Sequence, residues 1–141
     1  SDAQILRTPV SGISIQGRGA GGVAGMKLRK GARVIAAGPV LAGAVVVSVS
    51  DTGSAKATAF DDIESKGRGG QGVRLTRFTD ESALVLGWIG SPTDLMAVMS
   101  TDDDHTKPDP NPVPFPLEPT KRDLVSTATD RRILAVGSAR W

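Results

Sequence analysis

At 141 residues, 39% hydrophobic and 23% charged, the chain is of single-domain size and carries enough apolar material for a packed core. It has no cysteine, which removes disulfides, thiolate zinc sites and cysteine nucleophiles, and no apolar run reaches the ~20 residues that span a bilayer. The net charge of +2 is unevenly spread: +3 over residues 1–100, −4 over 101–119 and +3 over 120–141, a pattern that suits a polyanion partner on one face.

The N-terminus lacks a charged-then-apolar signal pattern, so a cytoplasmic protein is expected. The opening Ser1-Asp2-Ala3, without an initiating methionine, reads as part of a longer protein. Gln4 to Val10 is read as an entering strand, and Ile13-Ser14-Ile15 alternates. The octet Gln16 to Val23 follows, rich in glycine. Val23 to Leu28 alternates loosely, with Met26 and Leu28 on one face, and Arg29-Lys30-Gly31 is a basic turn. Arg33 to Ala37 is expected to form a short apolar strand closed by Gly38-Pro39.

Ala44 to Val49 predicts a strand most strongly, because β-branched residues dominate it. Asp51-Thr52-Gly53-Ser54 supplies turn chemistry, and Ala55 to Phe60 resumes as a strand. A second glycine octet runs from Lys66 to Val73. Val73 to Phe78 alternates, Thr79-Asp80-Glu81 is a turn, and Ala83 to Ile89 is expected as a buried strand broken by Gly90-Ser91-Pro92. Leu95 to Met99 is the counterpart of the Val45 strand. Residues 102–119 place prolines at 108, 110, 112, 114 and 116, then at 119, among acids. That composition makes an extended arm able to lie on a sheet edge. Arg132 to Gly137 suggests a further strand. Helix signals are almost absent, and the fold class expected is all-β.

The two octets are related without a gap. Gln16-Gly17-Arg18-Gly19-Ala20-Gly21-Gly22-Val23 aligns with Lys66-Gly67-Arg68-Gly69-Gly70-Gln71-Gly72-Val73 at an offset of 50 positions, which also aligns Thr8 with Thr58, Val10 with Phe60 and Ile13 with Ile63. A repeat of this period marks stacked or radial units, and four strands in about 50 residues is the size of a propeller blade. The expected division is two blade-like units at 4–53 and 54–101, the arm at 102–119, and a degenerate third unit at 120–141. In that third unit, Lys121-Arg122-Asp123 stands in place of the octet.

Little else promises chemistry. Both octets match G-x-G-x-x-G, but a dinucleotide site needs a helix after the glycines and none is predicted. His105 behind Asp102, Asp103 and Asp104 reads as a solvated loop rather than a metal site. One histidine and no cysteine leave little for acid–base or nucleophilic catalysis, and no cofactor is implied. The glycine loops are different, because each puts one guanidinium among amides that can approach an anion closely. Arg18 and Arg68, with Gln16, Lys27, Arg29, Lys30, Lys66, Arg74 and Arg77, would form one basic rim on the loop glycines Gly17, Gly19, Gly22, Gly67, Gly69 and Gly72. Such a rim meets successive phosphates of a bent duplex with little base reading.

At these residues the chain resembles the C-terminal, β-pinwheel domain of the A subunit of DNA gyrase and topoisomerase IV, with a style closest to actinobacterial members. That family's box is Q-R-R-G-G-K-G. Gln16 to Gly22 keeps the Gln, the third-position Arg, the following Gly and the last Gly; Lys66 to Gly72 keeps Arg68, Gly69, Gly70 and Gly72. Both lack the second Arg, the first also lacks the Lys, and the second exchanges Gln and Lys. The resemblance covers residues 4–100 well and 113–141 poorly. It implies a pinwheel fold and a non-catalytic, DNA-wrapping part of an ATP-dependent type II topoisomerase, an isomerase. The partners implied are double-stranded DNA, the remaining domains of the same polypeptide and the ATPase B subunit, with no membrane, at a nucleoid-associated location in the cytoplasm. A chain without tyrosine or an ATP loop holds DNA and does not cut it. The competing readings are a propeller-like protein-interaction module whose partner binds the proline arm, and an RGG-type single-strand RNA binder.

Overall fold

The computed structural model describes residues 1–101 and 106–139. Among them are eleven strands and two 3-10 turns, with no α-helix. In chain order these are β1 (Gln4–Ile5), a 3-10 turn at Val10–Gly12, β2 (Val45–Ser50), β3 (Ala55–Ala59) and a 3-10 turn at Phe60–Asp62. Next come β4 (Val73–Arg74), β5 (Thr76–Arg77), β6 (Leu84–Gly90), β7 (Leu95–Met99), β8 (Val113–Pro114), β9 (Pro119–Thr120), β10 (Leu124–Val125) and β11 (Ile133–Ser138).

The valine-rich stretch forms the middle of the main sheet, whose order is β6-β2-β3-β9. All six residues of β2 are buried, because both faces of its sheet are covered. On one face Val46 packs with Ala44, Phe60, Ile63 and Leu75; on the other, Val45 and Val47 join Ala57 and Leu95, and Val49 joins Ala55, Ala97, Met99 and Ile133. A second sheet has the order β11-β7-β8, and the pairs β1-β4 and β10-β5 complete the pairing. The sheets therefore cut across the sequence units: the main sheet takes β2 from the first, β3 and β6 from the second, and β9 from the junction of the arm with the third.

The repeat is visible in the backbone. Pro9 and Ala59 precede the two 3-10 turns with φ/ψ of −64/135° and −64/134°, and Ile13 and Ile63 follow with −107/111° and −105/107°. Gly22 and Gly72, again 50 apart, take φ of +81° and +79°. β6 pairs with β2 as β11 pairs with β7. Burial does not repeat. Phe60, Ile63 and Leu84 are 3%, 0% and 4% exposed, whereas their counterparts Val10, Ile13 and Val34 are 81%, 46% and 60% exposed. In the second set Phe60 and Ile63 pack with Val46 of β2 and Leu84 begins β6, whereas no strand among the described residues covers the first.

Three expectations need correction. Residues 13–44 contain no strand, so the stretch Arg33 to Ala37 is not one. It passes against β6 instead, with Ile35 and Ala36 beside Gly87 and Gly38 beside Ile89, but no described strand pairs with it and apolar content alone cannot make a ladder. The strand read across Val73 to Phe78 is two short strands broken at buried Leu75. β6 is an edge strand, and of its seven residues only Leu84 is fully buried. The proline arm does lie on sheet edges, as β8 against β7 and as β9 parallel to β3. The His105 and Asp102–Asp104 group falls outside the described residues.

Candidate nucleic-acid interface

The second glycine octet is bonded to residues that flank the first. The N–H of Gly69 donates to the carbonyl of Gly25 at 2.6 Å, and the N–H of Lys27 to that of Gly70 at 2.8 Å. The second octet thus runs beside the residues that immediately follow the first. Arg68 adds Nε to the Gly12 carbonyl at 3.1 Å and Nη1 to the Ala24 carbonyl at 3.4 Å. Lys66 is joined through its N–H to the carbonyl of Arg7 at 2.8 Å. A shallow cleft opens here between Ser11-Gly12 and Ser65 to Arg68.

Gly22, Gly69 and Gly72 hold positive φ. Gly72 is needed twice over, since β1 passes against it and leaves no room for a side chain. Gly17, Gly19 and Gly67 do not take positive φ; Gly17 instead accepts a turn bond from the N–H of Ala20 at 3.1 Å. A 3-10 turn precedes each octet and no helix follows either, so the dinucleotide pattern has no helix N-terminus to work with.

All nine candidate polar side chains belong to exposed residues. Arg18, Gln16, Lys27 and Lys30 have no side-chain hydrogen bond or ion pair among the described residues. The others are engaged to different degrees. Lys66 is 3.5 Å from Glu64, and Arg29 is 3.7 Å from Asp2, both loose surface pairs that water screens. Arg74 and Arg77 share Asp123: Arg74 grips it with Nε and Nη2, and Arg77 stands 3.8 Å away. The Arg74 fork holds the Asp123 carboxyl below its ordinary range, and Asp123 raises the guanidinium of Arg74 in turn.

Sequence reading missed Asp123 and Arg7. Asp123 holds φ of +60° and donates its N–H to Leu75, which carries its carboxylate to the arginines of β4 and β5. Arg7 donates Nη1 to the carbonyls of Phe60 and Ile63 at 3.1 and 3.2 Å, closing the second 3-10 turn much as Arg68 reaches the end of the first. Contacts between residues 49 to 56 positions apart leave no local signal. Among the described residues no group of three or more His, Asp or Glu could hold a metal ion, and no helix is long and apolar enough to cross a membrane.

The family profile described as DNA gyrase C-terminal domain, beta-propeller, matches residues 1–40 and 44–87. Similar proteins include the DNA gyrase A subunit of Aminobacterium colombiense, 36% identical over 87 residues that make up 62% of this chain and 11% of that protein. That of Streptomyces coelicolor is 32% identical over 87 residues, 60% of this chain and 10% of that protein. The chain therefore spans about a tenth of the length of these relatives. A crystal structure of the C-terminal domain of DNA topoisomerase IV superposes with a TM-score of 0.71 at 16% identity, covering 96% of this chain and 43% of that one. At that identity the likeness shows the shared fold.

Proposed function

Because this chain belongs to the DNA gyrase C-terminal domain family, a β-propeller fold, we propose that it is a non-catalytic DNA-binding and wrapping domain from the A subunit of a type IIA topoisomerase. The observation that supports this reading is that the second octet, through Gly69, Gly70 and Arg68, is bonded to Gly25, Lys27, Gly12 and Ala24, the residues that flank the first octet with its exposed Gln16 and Arg18. Exposed cations on glycine-rich loops meet phosphates without reading bases, so binding is sequence-tolerant and sensitive to how easily the duplex bends. Lys30 and Arg29 extend the rim, and Arg74 and Arg77 contribute as far as Asp123 releases them. In the whole protein the partners are double-stranded DNA, the remaining domains of the same polypeptide and the ATPase B subunit, in the cytoplasm at the nucleoid. DNA cleavage and ATP use belong to those other parts.

A fluorescence-anisotropy titration of duplex DNA against salt tests this. The expected result is binding whose log affinity falls with log salt, the slope lessening by about 0.9 for each phosphate contact removed, as in Arg18→Ala. Absent or salt-insensitive binding would favour a protein-interaction module instead, although the arm it would need is already laid on β3 and β7. Preference for single strands would favour the RNA reading.

A further inference from the structure

Arg18 and Arg68 hold the same place in their octets, yet only one of them is tied. The two carbonyls that Arg68 reaches, on Gly12 and Ala24, stand on either side of residues 13–23. Every residue of that segment is exposed, four are glycines, and residues 14–23 share one backbone hydrogen bond, from Ala20 to Gly17. The strand-like contacts of Gly69 and Gly70 fasten only the outgoing limb, at Gly25 and Lys27. On the incoming side the backbone meets that neighbour only upstream, at Arg7 with Ser65 and Lys66, and the Nε of Arg68 adds the contact at Gly12, at the mouth of the loop.

We propose that Arg68 is a positioning residue: a clasp across the neck of the 13–23 loop that holds Gln16 and Arg18 ready for phosphate, rather than a phosphate ligand itself. The inference rests on the duplex-binding reading above and divides labour within it. A glycine-rich loop of this length has much freedom to lose when it meets a ligand, and a clasp removes that loss beforehand. Only a guanidinium suits the task. Its rigid planar fork donates along two directions at once, whereas a lysine is a single point charge. By the same count Arg68 has spent two of its donor directions on protein carbonyls, while Arg18 has none so engaged among the described residues.

The test combines duplex titrations against salt with 15N heteronuclear NOEs of the Gly17, Gly19 and Gly21 amides, which report loop order without DNA. Arg18→Ala should lower the salt slope by about 0.9 and leave the NOEs unchanged. Arg68→Ala should weaken binding by about threefold to tenfold at fixed salt, keep the slope, and depress the NOEs. Arg68→Lys should behave like Arg68→Ala, and the double variant should bind like Arg18→Ala alone. The proposal is overturned if Arg68→Ala lowers the slope as Arg18→Ala does and the losses multiply, if Arg68→Lys restores binding, or if the NOEs stay put. Should the unaltered chain fail to bind duplex at all, the DNA reading falls, and the NOE comparison alone decides the clasp.

Discussion

Gly72 lies so close to Ile5 that a Cβ built on it would stand 2.6 Å from the Ile5 carbonyl carbon, and closer still to its oxygen. Both atoms are backbone, and the next residue begins the ladder of β1 with β4. Gly72→Ala must therefore push β1 off β4 as well as strain φ, and should cost about 3 kcal/mol in urea unfolding. Gly22→Ala meets the same φ in open space and should cost about 1 kcal/mol. Equal losses would show that the approach of Ile5 is irrelevant.

Glu81 staples three distant segments. It accepts from Ser126, from Ser54 at 2.8 Å and from the N–H of Thr79 at 2.7 Å. The Ser126 hydroxyl leads in lowering its pKa, against the opposing effect of burial, to about 2 from an ordinary 4.5. A depressed carboxylate contributes stability above its unfolded pKa and loses it as pH falls through the folded one. Unfolding free energy should thus drop between about pH 4.5 and 2, and Glu81→Gln should flatten that part of the curve. If the variant's pH profile runs parallel to the parent's, the staple contributes nothing.

Lys56 is 3% exposed, with Nζ donating to the Leu75 carbonyl at 2.9 Å. Loss of water drives its pKa down to about 8 from 10.5, against the pull of Asp123 and Asp62. The unfolded chain binds this proton more tightly, so stability should rise as pH climbs from about 8 to 10.5. Lys56→Met should abolish the rise and gain about 1 kcal/mol at pH 7. The Leu75 carbonyl keeps the N–H of Asp123 at 2.8 Å, so no orphan is made. A loss of melting temperature at pH 7 would contradict this.

Asp123 occupies the fork of Arg74 and so competes with any anion for it. Asp123→Asn should release Arg74 and Arg77, tighten duplex binding about threefold at low salt and steepen the salt slope by about 0.9 for each phosphate gained. An unchanged slope would place Arg74 and Arg77 off the DNA path.

What could be read from the sequence was whatever a local pattern dictates. The run at 45–50 is β-branched and made β2; the octets announced the repeat, and its offset reappears to within a few degrees at Pro9 and Ala59. The 3-10 turns escaped notice because one short i to i+3 bond leaves no periodic trace. Arg33 to Ala37 misled because an apolar run signals burial, while a strand also needs a neighbour to bond with. Lys56 alternates with alanines as an outward-facing residue would, yet Leu75 and the segment bearing Asp123 lie over that face too. The exposed cations were legible as composition, but which of them are already paired depends on Asp2, Glu64 and Asp123, brought in by the fold.

The order of the main sheet bears on how the chain is made. β3 leaves the ribosome with its outer edge bare, a template on which another nascent chain could pair, and stays so until residue 119 has been synthesised. When the edge is finally capped, the capping strand brings Pro119, a residue with no N–H, opposite Ala57. At that position the capping residue has no donor with which to seed a further strand, whereas the opposite margin of the same sheet ends on β6, whose seven residues carry no such block.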